Sequence, residues 1–278
     1  IIFLCCVIEA TYKSFSPLRS MHWCSVWHMW LAGDVGSRKL LGPISILISI
    51  ALPCALLGYG FSYLWIESTI LTFLGGIALL LWCFGPGDTG RDIELYSNAY
   101  RDPTDDANAS TNGNFLNHIY SSGLNSDAAY QRAIAIVSNE RVFAPAMWFA
   151  VLGPLGALLF RMASVLSRAD AVNGAELALV RRLHEILLWV PSRLFALGLG
   201  LAGSLGPVLA KLTKQSYPLD AIDNLVGDAA LAAHELPVDE DDSGDRHLAL
   251  INSMLSLVKR AFVVWLAILA IGTAAGIV

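Results

Sequence analysis

Charge is what this sequence has least of. Charged side chains make up 15% of its 278 residues, where an ordinary soluble domain carries about 25%. The length would accommodate one or two soluble domains, and the shortage of charge argues against them. An excess of basic residues is also lacking: 18 Lys and Arg stand against 23 Asp and Glu, a net charge of −5. That removes any general case for nucleic acid as a partner, because such binding needs a basic face. Cysteine is sparse. Cys5, Cys6, Cys24, Cys54 and Cys83 include no C-x-x-C pair, and an odd number set largely in apolar segments makes no disulfide framework. There is no G-x-x-x-x-G-K-[ST] phosphate loop and no internal repeat. What abounds is apolar: 55% hydrophobic residues and a mean hydropathy of +0.58. The composition points to an integral membrane protein.

Five charge-free windows carry most of that hydrophobicity: Leu40–Ile66, Ser68–Gly87, Val142–Phe160, Leu194–Ala210 and Ala261–Val278. A spanning helix needs about 20 mostly apolar residues, with a range of about 17–25. A sixth, Ile1–Ile8, stops at Glu9 and is too short as it stands. The chain opens with Ile, so a few preceding residues are expected. No basic n-region and no small-residue cleavage site mark a signal peptide there. Leu40–Ile66, in which Pro53 would give at most a kink, Ser68–Gly87 and Ala261–Val278 read as ordinary spans. The other two are interrupted. Val142–Phe160 carries Gly153-Pro154, and Leu194–Ala210 carries Gly198, Gly200, Gly203, Gly206 and Pro207. Interruptions at membrane depth are tolerated only where protein or a cavity satisfies the freed backbone groups.

The basic residues all fall in connections between windows. If every window crosses, the five arginines of 161–193 lie outside, against the positive-inside rule. If the two broken segments enter and return on one side, all eighteen basic residues lie inside. The expectation is therefore an all-α membrane protein with a helical bundle of four to six membrane segments. Two of these are Gly/Pro-broken, and four crossings are favoured. The whole of 1–278 reads as a single polytopic domain, with a cytosolic helical insertion at 87–141 and an acidic loop at 215–247.

Within the insertion, helices are expected near Asp88–Arg101 and Ser126–Arg141, the second with Ser126 as N-cap, and a loop lies between them. Ala175–Val190 is amphipathic and suits the membrane surface, with Pro191 starting the next helix. Asp220–Asp245 reads as a solvated acidic stretch. Leu248, Ile251, Leu255 and Val258 recur at helical spacing and lead into the last span.

Several patterns invite chemistry. Gly198-Leu-Gly-Leu-Ala-Gly203 matches a dinucleotide fingerprint in letters, but that motif needs a preceding strand; close packing of membrane helices explains it better. His22, Cys24 and His28 share a helical face, but the spacing matches no established metal site, and Trp23, Trp27 and Trp30 among them suit an interfacial helix. The charges beside the broken segments are more informative: Glu140, Arg141 and Arg161 flank one, Arg193 opens the other, and Asp88 and Asp92 sit one turn apart. Charged residues beside broken intramembrane helices are candidates for a ligand site, or else ion pairs that tether helices. Glu9 is a further candidate for the same network.

A set of motifs then runs along most of the chain. It comprises Gly85-Pro86-x-Asp88-x-x-x-Asp92-x-x-x-Tyr96, Asn139-Glu140-Arg141-x-Phe143-Ala144-Pro145, Trp148-Phe149, Leu152-Gly153-Pro154-x-Gly156-Ala157 through Arg161, and Trp189-Val190-Pro191-Ser192-Arg193-Leu194. In order and spacing this resembles the AmpE family of bacterial inner-membrane proteins, associated with regulation of β-lactamase induction. That family is related to the adenosylcobinamide-phosphate synthases of cobalamin assembly. Where the synthases carry a polar Asn-Thr-Leu-Asp-Ser-Met block this chain has Met162-Ala-Ser-Val-Leu-Ser167, and His184-Glu185 stands where they have paired aspartates. The resemblance implies a multi-pass protein of the bacterial inner membrane with no catalytic residue, cofactor or metal. Its partners would be the lipid bilayer and a small-molecule or protein signal held by Glu140, Arg141, Arg193, Asp88, Asp92 and Arg161. An amide-bond-forming synthase and a small-molecule transporter are the alternatives.

Overall fold

The computed structural model describes residues 1–11, 21–36, 44–85, 93, 126–170, 172, 174–214, 217–234 and 243–276, and every regular element among these is helical. The order is α1 (Ile2–Thr11), α2 (Trp23–Gly36), α3 (Ser45–Glu67), α4 (Thr69–Cys83), α5 (Asp127–Ser138), a π-turn (Asn139–Phe143), α6 (Ala144–Leu152), α7 (Pro154–Leu166) and α8 (Gly174–Ala202). Then follow α9 (Leu205–Lys214), a 3-10 turn (Leu219–Ala221), α10 (Ile222–Ala233) and α11 (Ser243–Ala274). Among the described residues, three stretches are long and apolar enough to cross a membrane: Ser45–Leu64, Gly174–Ala202 and Arg246–Ala274. The apolar α4, at 15 residues, is about 22 Å long, short of the roughly 30 Å hydrocarbon core. The outward face of α3 is apolar: Tyr59 is 77% and Ile66 81% exposed. Lipid suits such a face and water does not.

The helices form two compact units, one of 1–86 with 144–188 and the other of 87–143 with 189–278. In the first, α7 packs on α2, α3, α4 and α6, and Ile46, Ile50, Leu80, Leu158 and Phe160 fill the core. α3 runs unbroken through Pro53. Ser68, extended at φ −162°, ends it and caps α4 by accepting the Leu71 N–H. The Gly153-Pro154 break is complete. Gly153 takes φ +68°, Pro154 occupies the first turn of α7, and α6 folds closely onto α7. Gly156 makes that contact possible, since a Cβ there would lie 2.3 Å from the Trp148 carbonyl oxygen.

In the second unit, α5 packs on α10 and α11, and α9 on α10. Ser126 caps α5 by accepting the Ala129 N–H. Arg132 pairs with Asp228, whose other oxygen accepts the Tyr217 hydroxyl at 3.0 Å. Burial and that carboxylate push the Tyr217 phenol up to about 12. Asp127 pairs with His247 at 2.5 Å. Leu248, Ile251 and Val258 are buried on α11, as their spacing implies, while Val263 and Ile271 farther along are exposed.

Three expectations are corrected. Pro191 starts no helix, because α8 continues through it. The amphipathic 175–190 and the start of the 194–210 window are therefore one helix, and the break falls at Gly203-Ser204. The stretch 215–247 is not a loop throughout. Ile222, Leu225, Val226, Ala229, Ala230 and Ala233 are buried along α10, so its apolar face outweighs the acids counted around it. Apart from Ile93, the expected helix near Asp88–Arg101 lies outside the described residues, as does the side chain of Glu9.

Candidate functional site at the π-turn

The residues Asn139-Glu140-Arg141-Val142-Phe143 form a π-helical turn between α5 and α6. Such turns are uncommon inside α-helices and are frequently associated with functional sites. The wider turn draws polar groups inward: Asn139 is 2% and Glu140 8% exposed. Asn139 Nδ2 donates to Ser192 Oγ of α8 at 2.9 Å. Its Oδ1 is buried with no hydrogen-bond partner among the described residues. Below it, Phe143 packs against Phe195, Phe262 and Trp265 at 5.1–6.0 Å between ring centroids.

α8 brings Arg193 beside the Ser192 contact. Its guanidinium stacks 3.9 Å above the Trp189 ring, a cation–π contact, and Nη1 donates to the Trp189 carbonyl at 3.4 Å. Pro191 has no N–H to give to Leu187 four residues back. That carbonyl instead accepts the Trp148 indole N–H at 2.9 Å, which explains how the helix passes the proline. Farther along, a Cβ at Gly198 would lie 2.4 Å from the Trp265 indole nitrogen, which donates to the Leu194 carbonyl at 3.0 Å. Gly203 likewise lies against the Ala233 carbonyl. The glycine run thus serves close packing.

Of the residues expected to form the site, Glu140 and Arg141 lie on the π-turn and Arg193 lies on α8 within the same unit. Pro145 is buried at the start of α6, and Gly85 is buried after α4. Pro86, Asp88 and Asp92 lie outside the described residues. Arg161 belongs to the other unit, 5% exposed on α7. It interacts electrostatically with the Cys24 thiol, which burial pushes up to about 12 in spite of that positive charge. A thiol held that strongly protonated is a poor nucleophile and a poor metal ligand.

A second polar cluster escaped the sequence reading. His28, 1% exposed, has Nδ1 3.0 Å from Ser49 Oγ and Nε2 3.4 Å from Glu176 Oε2. Ser45 Oγ donates to Glu176 Oε1. These side chains come from α2, α3 and α8, and only His28 drew attention in the sequence, through its spacing from His22 and Cys24. Glu176 lies far along the chain in an amphipathic helix, where nothing local marks it.

No family model, no curated protein and no solved structure matches the chain.

Proposed function

We propose that this chain is a bacterial inner-membrane regulatory protein of the AmpE kind, which senses a signal linked to β-lactamase induction at the π-turn. The observation that carries the reading is the π-turn itself. The Asn139-Glu140-Arg141 stretch, one of the motifs on which the resemblance rests, is where the helix departs from regular geometry. It buries Glu140 and leaves the Asn139 acceptor without a hydrogen bond among the described residues. The buried Asn139 acceptor suits a ligand with an N–H or O–H donor, since native proteins rarely bury such a group without a partner. Arg193 supplies positive charge for an anionic part of the same ligand. The synthase alternative draws less support. Met162, Ala163, Ser164 and Leu166 stand in the position of the synthase polar block and are buried in the α7 core.

The topology we attach to this reading has four to six membrane segments and keeps the basic connections in the cytosol. The α6–α7 pair would enter and leave on one side. α6 has 9 residues and α7 has 13, about 14 and 20 Å, and neither reaches across alone. At 29 residues α8 is long enough to cross, and a crossing there would carry Lys211 and Lys214 to the side opposite Arg168, against this arrangement. Reporter fusions after Arg168 and Asp241 decide this: an external signal at either overturns the four-crossing arrangement.

A deletion strain scored for both β-lactamase induction and cobamide production tests the function. Altered induction with normal cobamide supports the regulator. Unchanged induction with cobamide auxotrophy replaces it with the synthase. Glu140→Gln and Arg193→Gln are expected to abolish the induction phenotype at normal membrane levels. A lost charged hydrogen bond of about 1.5–3 kcal/mol corresponds to roughly ten- to a hundredfold in affinity. Loss of the protein itself would assign these residues to holding the helices together.

A further inference from the structure

The break at Gly203-Ser204 folds α9 back instead of letting α8 run on. A Cβ at Gly200 on α8 would lie 3.0 Å from Leu205 Cδ1 and 3.3 Å from Val208 Cβ, where a continuous helix would carry Val208 about 12 Å along its axis. The Ser204 N–H donates to the Ala233 carbonyl at 3.1 Å and anchors the turn on the end of α10. α9 packs on α10, with Val208 buried. At 10 residues it is about 15 Å long, half the roughly 30 Å of the hydrocarbon core. Its outer surface divides in two. Leu205 is 36% and Leu209 42% exposed, and Leu201, just before the break, is 52% exposed. Leu205 and Leu209 lie one turn apart on one face, and Lys211 and Lys214 lie on the opposite one. Both lysines are exposed, and neither pairs with a carboxylate among the described residues.

We propose that α9 is an interfacial helix that binds anionic phospholipid. Leu205 and Leu209, with Leu201 before the break, enter the outer acyl region, and Lys211 and Lys214 hold the phosphate-bearing headgroups. Charge and shape together select this occupant. An acidic soluble protein would complement the lysines and leave the leucine face in water. A bilayer surface offers both counterparts in the right order, acyl chains beneath a negatively charged headgroup layer. Lysine stems lie along apolar surface and deliver their ammonium groups to the polar layer, so a helix seated at the boundary satisfies both of its faces at once. The helix is too short to cross, and its anchor on α10 sets its seat within the second unit. Lysines in a last helical turn also suit the helix dipole, but that contribution is the same whatever the lipid charge, which makes dependence on lipid charge the decisive property. The site does not depend on the π-turn reading.

The test reads backbone amide exchange across 205–214 in the full chain, reconstituted in nanodiscs of phosphatidylcholine alone or with phosphatidylglycerol added. The anionic lipid is expected to slow exchange in this segment by about fivefold for each lysine. Lys211→Gln with Lys214→Gln should remove that difference, and Lys211→Arg with Lys214→Arg should keep it. Where the glutamine pair does not reconstitute, the unaltered chain in about 1 M salt, with a screening length of about 3 Å, takes its place and should lose the difference likewise. Equal exchange in the two lipids, or a difference that survives loss of the lysine charges, would overturn the proposal. So would slowing by an acidic peptide in phosphatidylcholine discs with none from the anionic lipid, which would assign the face to a protein.

Discussion

At Gly153 the backbone takes φ +68° and ψ −156°, a region open essentially to glycine alone. Gly153→Ala should therefore cost on the order of 1–3 kcal/mol, although nothing lies within 4 Å of the added methyl. Gly156→Ala fails for the opposite reason. Its conformation is ordinary, but the Trp148 carbonyl and the Leu152 Cβ lie 2.3 and 2.7 Å from the new atom, and overpacking costs about 1–3 kcal/mol. Gly206→Ala, in open space on α9, should be neutral or stabilising. Thermal unfolding of the three variants in detergent separates strain from collision. His234 makes the pH-dependent case. His234 Nε2 lies 2.7 Å from Ser253 Oγ, whose hydroxyl also reaches the Leu250 carbonyl. Burial first, and then the Arg260 charge, hold His234 below its ordinary value. Between that lowered value and about 6.5 the unfolded chain holds more protons than the native one, so stability falls on acidification through this window. The loss in melting temperature from about pH 7 to pH 5 should be smaller in His234→Asn. The Gly-Pro break was legible in two letters, because conformation at glycine and proline is a local property. The pairing of His234 with Ser253 was not, because it depends on how α10 and α11 meet.

At the level of helices, the sequence was least informative where one element completes another's hydrogen bonding. Pro191 reads as a helix start when only its own chain is considered, and α8 nevertheless continues through it. The carbonyl that proline leaves idle accepts from an indole on α6, a donor that no local pattern reveals. The expected consequence is a coupled pair. Trp148→Phe should destabilise by about 1–3 kcal/mol, since it strands a buried acceptor. In a Pro191→Ala background, where the backbone regains an N–H to give to the Leu187 carbonyl, most of that loss should vanish. A double-mutant cycle on unfolding free energies measures the coupling, and additive losses would refute it. The π-turn was equally hidden: Asn-Glu-Arg-Val-Phe has no composition that distinguishes π from α. The final helix was readable, since Leu248, Ile251 and Val258 keep one face for the core and an apolar run follows them.

For the whole molecule, scarcity of charge named the class, and three helices of crossing length agree with it. The division into two units was not legible, because neither is continuous in sequence. That interleaving bears on the timing of synthesis. Domains tend to fold as units while the chain emerges, and every residue of the first unit exists once Leu188 is made. The second unit has no such option. Its early segment carries Arg132 and Asp127, whose partners Asp228 and His247 arrive 96 and 120 residues later. A ribosome paused between those points holds a finished half beside a helix of exposed, unmatched charges, the stage at which a nascent chain of this kind is most vulnerable to a quality-control protease.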